Sequence, residues 1–336
     1  MTKYILSLLA VTLFFSCGNE PPQLMVLQGN AFGTTYSIQY FSDTSVDAEK
    51  GIDSVIYQVN KSVSTYLPKS DISRINQGDT TVVVDAIFKE VFQISETVFT
   101  NSKGYFDPTV GVLRNAYGFG DEKPLEVIDS TTLDSLRKLV GFRKVRLLAN
   151  GTIQKEHPAI YFDFNAVAKG YGIDLIGAHL DHLGIENYII ELGGELLAKG
   201  KQVAKDQPWL AGVEAIDSEI EDRSVRAIVS LKDRGMAASG NYRKFRIDKK
   251  TGQKYVHTIN PLTGKAQQND VTSATIIAPT CAFADAYATA CMAMGVEASK
   301  AMIENLPEIE AYLTYLDSDG TSKVFISDGF EALLKK

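Results

Sequence analysis

Three cysteines, four histidines and one tryptophan in 336 residues leave little material for a thiolate or imidazole metal centre. Cys281 and Cys291 fall on one expected helix, about 15 Å apart at the helical rise. A disulfide needs Cα atoms within about 7 Å, so these two do not pair. The chain also lacks a surplus of positive charge: 34 Lys and Arg stand against 41 Asp and Glu, a formal net charge of −7. Without that surplus there is no phosphate-neutralising groove, and nucleic acid is excluded as a partner. The most basic run, Lys249-Lys250-Thr251-Gly252, reads as a hairpin tip. The uncharged run Ile5 to Phe15 is too short to span a bilayer. No internal repeat and no Pro/Ser-rich linker divides the chain.

What is present is ordinary globular material, 45% hydrophobic and 22% charged. Lys3 followed by the apolar run has the form of an export signal. Ser16-Cys17 at its end resembles a bacterial lipoprotein processing site, with the bulky Phe15 a departure from the usual pattern. The expected organisation is a signal peptide over 1–16, a lipid-anchored tether over 17–28 and one catalytic-size domain over 29–336. A diacylated Cys17 would hold the chain outside the cytoplasm.

Periodicity predicts helices near Asp47–Ser62, Asp85–Ser102, Thr132–Val140, Ala168–Leu183, Cys281–Met294 and Ala298–Leu306. Strands are predicted at Lys144–Leu148 and Thr152–Lys155 around Asn150-Gly151, then at Ile160–Phe164, Tyr188–Leu192, Trp209–Glu214 and Arg226–Leu231. Further strands are predicted at Lys244–Asp248, Lys254–Ile259, Ser273–Ala278, Ala311–Leu316 and Ser322–Ile326. Helices precede hairpins without βα alternation. That favours an α+β fold with two closely associated lobes of mostly antiparallel sheet flanked by helices.

Several segments carry small or polar residues where a core would not require them. Phe32-Gly33-Thr34 enters a strand, and Tyr66 offers a flat hydrogen-bonding ring. Phe106-Asp107-Pro108-Thr109-Val110-Gly111 marks a turn. Asp163 to Gly172 joins a strand to a helix whose free N–H groups suit phosphate. Lys169 sits in the first turn of that helix against the dipole, which points to an anionic partner. The pattern is neither G-x-G-x-x-G nor a P-loop. Glu191-Leu192-Gly193-Gly194-Glu195 permits close backbone approach or simply a sharp exit. His257, at a strand end before Asn260-Pro261, is the histidine best placed as a base; His157 lies in a loop and His179 and His182 on the outer part of a helix. Asp285 and Thr289, four residues apart in a helix of small apolar residues, offer two hard oxygen ligands suited to Mg²⁺ or Ca²⁺ rather than zinc. Equally, Thr289 could bond back to its own helix.

Taken in order, these segments resemble the ApbE-type flavin transferases, the FAD:protein FMN transferase family. Ser239-Gly240-Asn241-Tyr242-Arg243, His257 to Gly264 and Ala278 to Gly295 belong to the same ordered set. The resemblance implies cleavage of FAD at its pyrophosphate, transfer of FMN to a Thr or Ser hydroxyl of a target protein, and release of AMP. FAD is then the substrate and Mg²⁺ the cofactor. The implied acceptors are proteins of membrane respiratory complexes, met at the periplasmic face of the inner membrane of a bacterial envelope. Residue by residue, the resemblance implies FAD contacts from Phe32, Tyr66, Asp107, Pro108, Thr109, Asp163, Lys169 and Ile259. Phe32 stands where the family usually has Met. The implied metal ligands are Asp285, Thr289 and the carbonyl of Ala166, with His257 as base. Some members carry a further carboxylate where this chain has Ala288. Two other readings are a Mg²⁺-dependent FAD pyrophosphatase and a non-catalytic lipid-anchored flavin-binding protein.

Overall fold

The structure is a computed structural model, which describes residues 22–43, 46–214, 225–241, 245–247, 252 and 254–335. The expected signal peptide, Cys17 and most of the Lys249–Gly252 tip lie outside the described residues. The chain opens with β1 (Gln23–Ala31) and β2 (Thr34–Ser42), then α1 (Glu49–Val63), α2 (Asp71–Asn76), α3 (Ala86–Asn101), α4 (Gly111–Tyr117) and α5 (Ser130–Arg137). Next come β3 (Val145–Leu147), β4 (Ile153–Lys155), α6 (Ala168–His182), β5 (Tyr188–Leu192) and β6 (Glu195–Lys199). The strands β7 (Trp209–Glu214), β8 (Val225–Leu231), β9 (Arg234–Gly240), β10 (Phe245–Ile247), β11 (Lys254–Val256) and β12 (Val271–Ala278) follow. The end of the chain is α7 (Cys281–Met294), α8 (Val296–Glu304), β13 (Glu310–Leu316), β14 (Ser322–Ile326) and α9 (Asp328–Leu333).

Eight strands form one sheet in the order β1-β2-β5-β6-β9-β12-β13-β14, and every neighbouring pair is antiparallel. This is the α+β architecture that the sequence led us to expect. Side chains alternate between its faces, as the pleat requires. Ala237, Ile276 and Leu313 join the core beneath α3 and α7. Their chain neighbours Met236, Ile277 and Tyr312 join a second core under β7, β8 and α9. A third cluster packs Tyr36, Ile38, Ile190 and Leu192 against α1 and α6. Both faces of the sheet are therefore covered.

Close approach of α6 and α7 positions the site. A Cβ on Gly170 would fall 2.4 Å from the Cys281 carbonyl oxygen, and one on Gly235 would fall 2.3 Å from the Cys281 nitrogen. The first turn of α7 is thus gripped between α6 and β9 at two positions that only glycine fits. Asp174 of α6 accepts the N–H groups of Cys281 and Ala282, both at 2.8 Å, and so takes two free donors at the start of α7. Cys281 and Cys291 are free and buried.

Four departures from the sequence reading stand out. Ile160–Phe164 is not a ladder strand: only Tyr161 makes a bridge, parallel to Val110. Its alternation is real, since Ile160, Phe162 and Phe164 are all fully buried. The missing partner is a side chain: Asn76 accepts from Phe162 N at 2.8 Å and donates to Phe162 O at 2.9 Å. Residues 23–28, expected to be tether, are part of edge strand β1. The predicted helix over Thr132–Val140 runs instead over Ser130–Arg137, because the Asp129 side chain caps it by accepting from Thr132 N at 2.8 Å. His179 is not on an outer face, since Gly51 of α1 comes so near that a Cβ there would lie 2.0 Å from His179 Nε2.

Candidate active site

A cavity of about 680 Å³ opens where the carboxyl end of β5, the strand–helix junction before α6, α7 and the turn after β11 meet. That is within the usual range for small-molecule sites, about 300–1,000 Å³. Nine of the residues singled out in the sequence line it: Asp107, Pro108, Asp163, Ala166, Lys169, His257, Ile259, Asp285 and Thr289. They come from four separate stretches of the chain. Phe32, Tyr66 and Thr109 do not line it.

Each of those three has a local reason. Phe32 and Gly33 are the two central residues of the β1–β2 turn, with φ of 50° and 79°. Two positive φ values match the twist of a two-residue hairpin and favour Gly at the second position. The turn lays the Phe32 ring on Gly172, where a Cβ would come within 2.5 Å of it. Tyr66 is 58% exposed and its hydroxyl lies near the Arg114 guanidinium, which does line the cavity. Thr109 is fully buried: its hydroxyl donates to Asp107 Oδ1 at 2.6 Å and accepts from Gly141 N at 2.8 Å. Asp107 also accepts from Thr109 N and Phe142 N. The carboxylate of this turn therefore faces inward, its pKa pushed up to about 6 by burial against those three hydrogen bonds. Pro108 and the turn's outer surface face the cavity.

Asp163 is committed as well. It forms an ion pair with Arg114 and accepts from Asn165 N at 2.8 Å. Sequence reasoning missed Arg114, which donates to Phe119 O at 2.8 Å and pairs with Asp163 at the strand–helix junction. A lone Arg inside a helix flanked by aromatics gave no signal of its own. Asn260 Oδ1 accepts from Leu262 N and Thr263 N, and Gly264 N returns to Asn260 O at 2.8 Å, so the turn after His257 is built by its own polar atoms.

The charged floor of the cavity is Lys169, Glu195 and Asp285. Lys169 and Glu195 form an ion pair with side chains 26% and 7% exposed. Asp285 accepts from Gly170 N at 3.2 Å. Burial raises the Asp285 carboxyl, and the Lys169 charge and the Gly170 bond oppose it. Burial and then the Asp285 charge raise the Glu195 carboxyl, opposed by Lys169. Two buried carboxylates against one ammonium leave an excess of negative charge that a cation would relieve.

The backbone fits such a cation too. In a continuing helix Gly170 N would meet the carbonyl four residues back, that of Ala166. Here it donates to Asp285 instead, which leaves the Ala166 carbonyl without a backbone donor among the described residues. Carbonyl, carboxylate and Thr289 hydroxyl are all hard oxygen donors suited to Mg²⁺ or Ca²⁺. Among the described residues no cluster of three or more His, Cys, Asp or Glu could hold an ion. No helix among them is long and apolar enough to cross a membrane.

Fold and site together define a small-molecule cavity in an α+β protein, walled by buried charges and hard oxygen donors. The chain matches the ApbE family over residues 32–313 and belongs to it. It is 32% identical to a FAD:protein FMN transferase of Vibrio cholerae over 100% of both chains. It is 34% identical to a FAD:protein FMN transferase of Haemophilus influenzae over 88% of each. Its fold is similar to that of the flavin transferase ApbE from Vibrio cholerae, with a TM-score of 0.83 and 32% identity, covering 94% of this chain and 100% of that one. The apo flavinyl transferase ApbE of Pseudomonas stutzeri gives a TM-score of 0.81 at 26% identity, covering 94% of this chain and 98% of that one.

Proposed function

We infer that this chain is a FAD:protein FMN transferase. It splits the pyrophosphate of FAD and moves the FMN half onto a protein hydroxyl, releasing AMP. The observation that carries the reading is the meeting of Lys169, His257, Asp285 and Thr289 in one cavity of a chain that belongs to the ApbE family.

Asp285, the Thr289 hydroxyl and the Ala166 carbonyl would hold Mg²⁺, which when bound neutralises pyrophosphate charge and favours departure of AMP. Lys169 presents its ammonium to the same anion. His257 takes the proton of the acceptor Thr or Ser hydroxyl as that oxygen approaches phosphorus. Tyr66, near Arg114, offers its ring to the isoalloxazine, with Ile259 as a further apolar contact. The side chains of Asp107 and Thr109 shape the turn that presents Pro108. The acceptors are proteins of membrane respiratory complexes. The chain reaches them as an exported lipoprotein anchored through Cys17 at the periplasmic face of the inner membrane.

Incubation with FAD, Mg²⁺ and a candidate acceptor, followed by intact mass, tests this. A covalent FMN adduct on the acceptor is expected. Free FMN without an adduct would make the chain a pyrophosphatase, and intact FAD would make it a binding protein.

A further inference from the structure

Glu195 has no part in the reading above, yet it is among the most buried charged groups of the cavity wall. It sits where β5 turns into β6. Gly193 and Gly194 make that turn with φ of 62° and 105°, and Gly194 N donates to Glu191 Oε1 at 2.8 Å. The turn is held on its other side by Gly193 N, which donates to Thr35 O at 3.1 Å. Glu195 is therefore presented by a rigid corner of the sheet. Its Oε2 is engaged by the ion pair with the Lys169 ammonium.

Lys169 has a choice of two carboxylates. It is in ion-pair contact with Glu195, while Asp285 acts on it through its charge and takes its hydrogen bond from Gly170 N. Remove the negative charge at Glu195 and the ammonium's remaining anionic neighbour in this group is Asp285. A Lys–Asp pair there would occupy the carboxylate offered to a cation. It would also turn the ammonium away from the space an anionic ligand fills.

We propose that Glu195 is a positioning residue that draws the Lys169 ammonium off Asp285, leaving that carboxylate for the cation and the ammonium for the pyrophosphate of FAD. The proposal rests on the flavin-transferase reading. Glu195 acts through Lys169 and touches neither ligand.

The test is a cycle of Glu195→Gln, Lys169→Met and the double variant, each in the full mature chain. FAD binding is followed by flavin fluorescence with chelator present, and Mn²⁺ binding by the spectrum of the free ion. Wild type that binds no FAD would sink the flavin reading itself, before Glu195 is in question. Given binding, Glu195→Gln should weaken both FAD and Mn²⁺ by about tenfold or more, the usual scale for groups that orient a ligand set. In the Lys169→Met background the same change should cost less than about threefold in either, because the residue it acts through is gone. Equal losses in both backgrounds would overturn the proposal and make Glu195 a direct contact of the cation or of FAD. Should Glu195→Gln not fold, Lys169→Met against the double variant still decides, since a direct contact loses affinity in that pair and a positioning residue does not.

Discussion

Gly170 donates its backbone N–H to Asp285 Oδ2 at 3.2 Å, and through that bond α6 and α7 share one corner of the cavity. The bond frees the Ala166 carbonyl and orients the Asp285 carboxylate at the same time. Two changes separate its structural and functional sides.

Asp285→Asn should keep the fold, since it removes a buried charge whose ionised form burial already disfavours. It should lower FMN transfer by more than about 100-fold, beyond the loss typical of groups that only orient ligands. A Mg²⁺ titration of the transfer rate measures this. Wild-type rate regained at ordinary Mg²⁺ would remove Asp285 from the cation site. Zn²⁺ should replace Mg²⁺ poorly, because the donors are all oxygens.

Gly170→Ala works the other way. Its new methyl would meet backbone, the Cys281 carbonyl oxygen at 2.4 Å and carbon at 2.7 Å, and backbone cannot swing aside as a side chain can. The helices must separate, at a cost of about 1–3 kcal/mol. Urea denaturation should show that loss together with weaker Mn²⁺ binding. An unchanged midpoint would mean that α6 and α7 are not locked at this point.

These two residues also show what the sequence could and could not reveal. Asp285 was visible because a charge inside a run of alanines demands an explanation. Lys169 was visible because it opposes a helix dipole. Elements with strong periodicity were legible: α7 runs over Cys281–Met294 as expected, and β5 over Tyr188–Leu192. Illegible were features that depend on a partner distant in the chain. Phe162 looks like a strand residue, but it pairs with the side chain of Asn76. Arg114 gave no signal in the sequence, yet it is the counter-ion of Asp163. Strand β9 carries Gly, Met and Ala where β-branched residues would mark a strand, because α7 packs closely upon it.

Asp174 should leave a mark on the pH dependence of stability. Burial raises its carboxyl to about 7 from a usual value of 3.8, with Asp285 adding to the rise and the bonds from Ala282, Cys281 and Thr280 opposing it. A carboxyl raised in the folded state contributes fully at low pH, below its unfolded value. That contribution is lost as pH climbs through the folded value. Asp174→Asn cannot ionise, so between pH 5 and pH 8 its stability should gain on the wild type by on the order of 1–3 kcal/mol. Urea midpoints at the two pH values measure the difference. Parallel curves would mean that the carboxyl is not raised.

Cys17→Ala tests the anchor. Catalysis should be intact in extracts while the protein moves from the membrane to the soluble fraction. The variant still sedimenting with membranes would show that another feature holds it there.

His257 decides between two accounts of the acceptor's proton. It lines the cavity directly after β11, and the Asn260 turn that follows is tied by its own hydrogen bonds, so the segment is built to hold a position. Asp163, the carboxylate that could have served in its place, is paired with Arg114 and bonded to Asn165 N. That leaves the imidazole as the better base. A general base contributes about 10²–10⁴-fold, so His257→Ala should slow transfer by that order while FAD affinity changes little. A base acts only while unprotonated, so a rate loss in acid that the wild type shows and the variant lacks would mark the imidazole as that base. A loose phosphoryl-transfer transition state asks less of a base, which sets the lower end of the expected loss. Transfer by the variant at near wild-type rate, with the wild-type pH profile, would show that His257 only shapes the cavity wall.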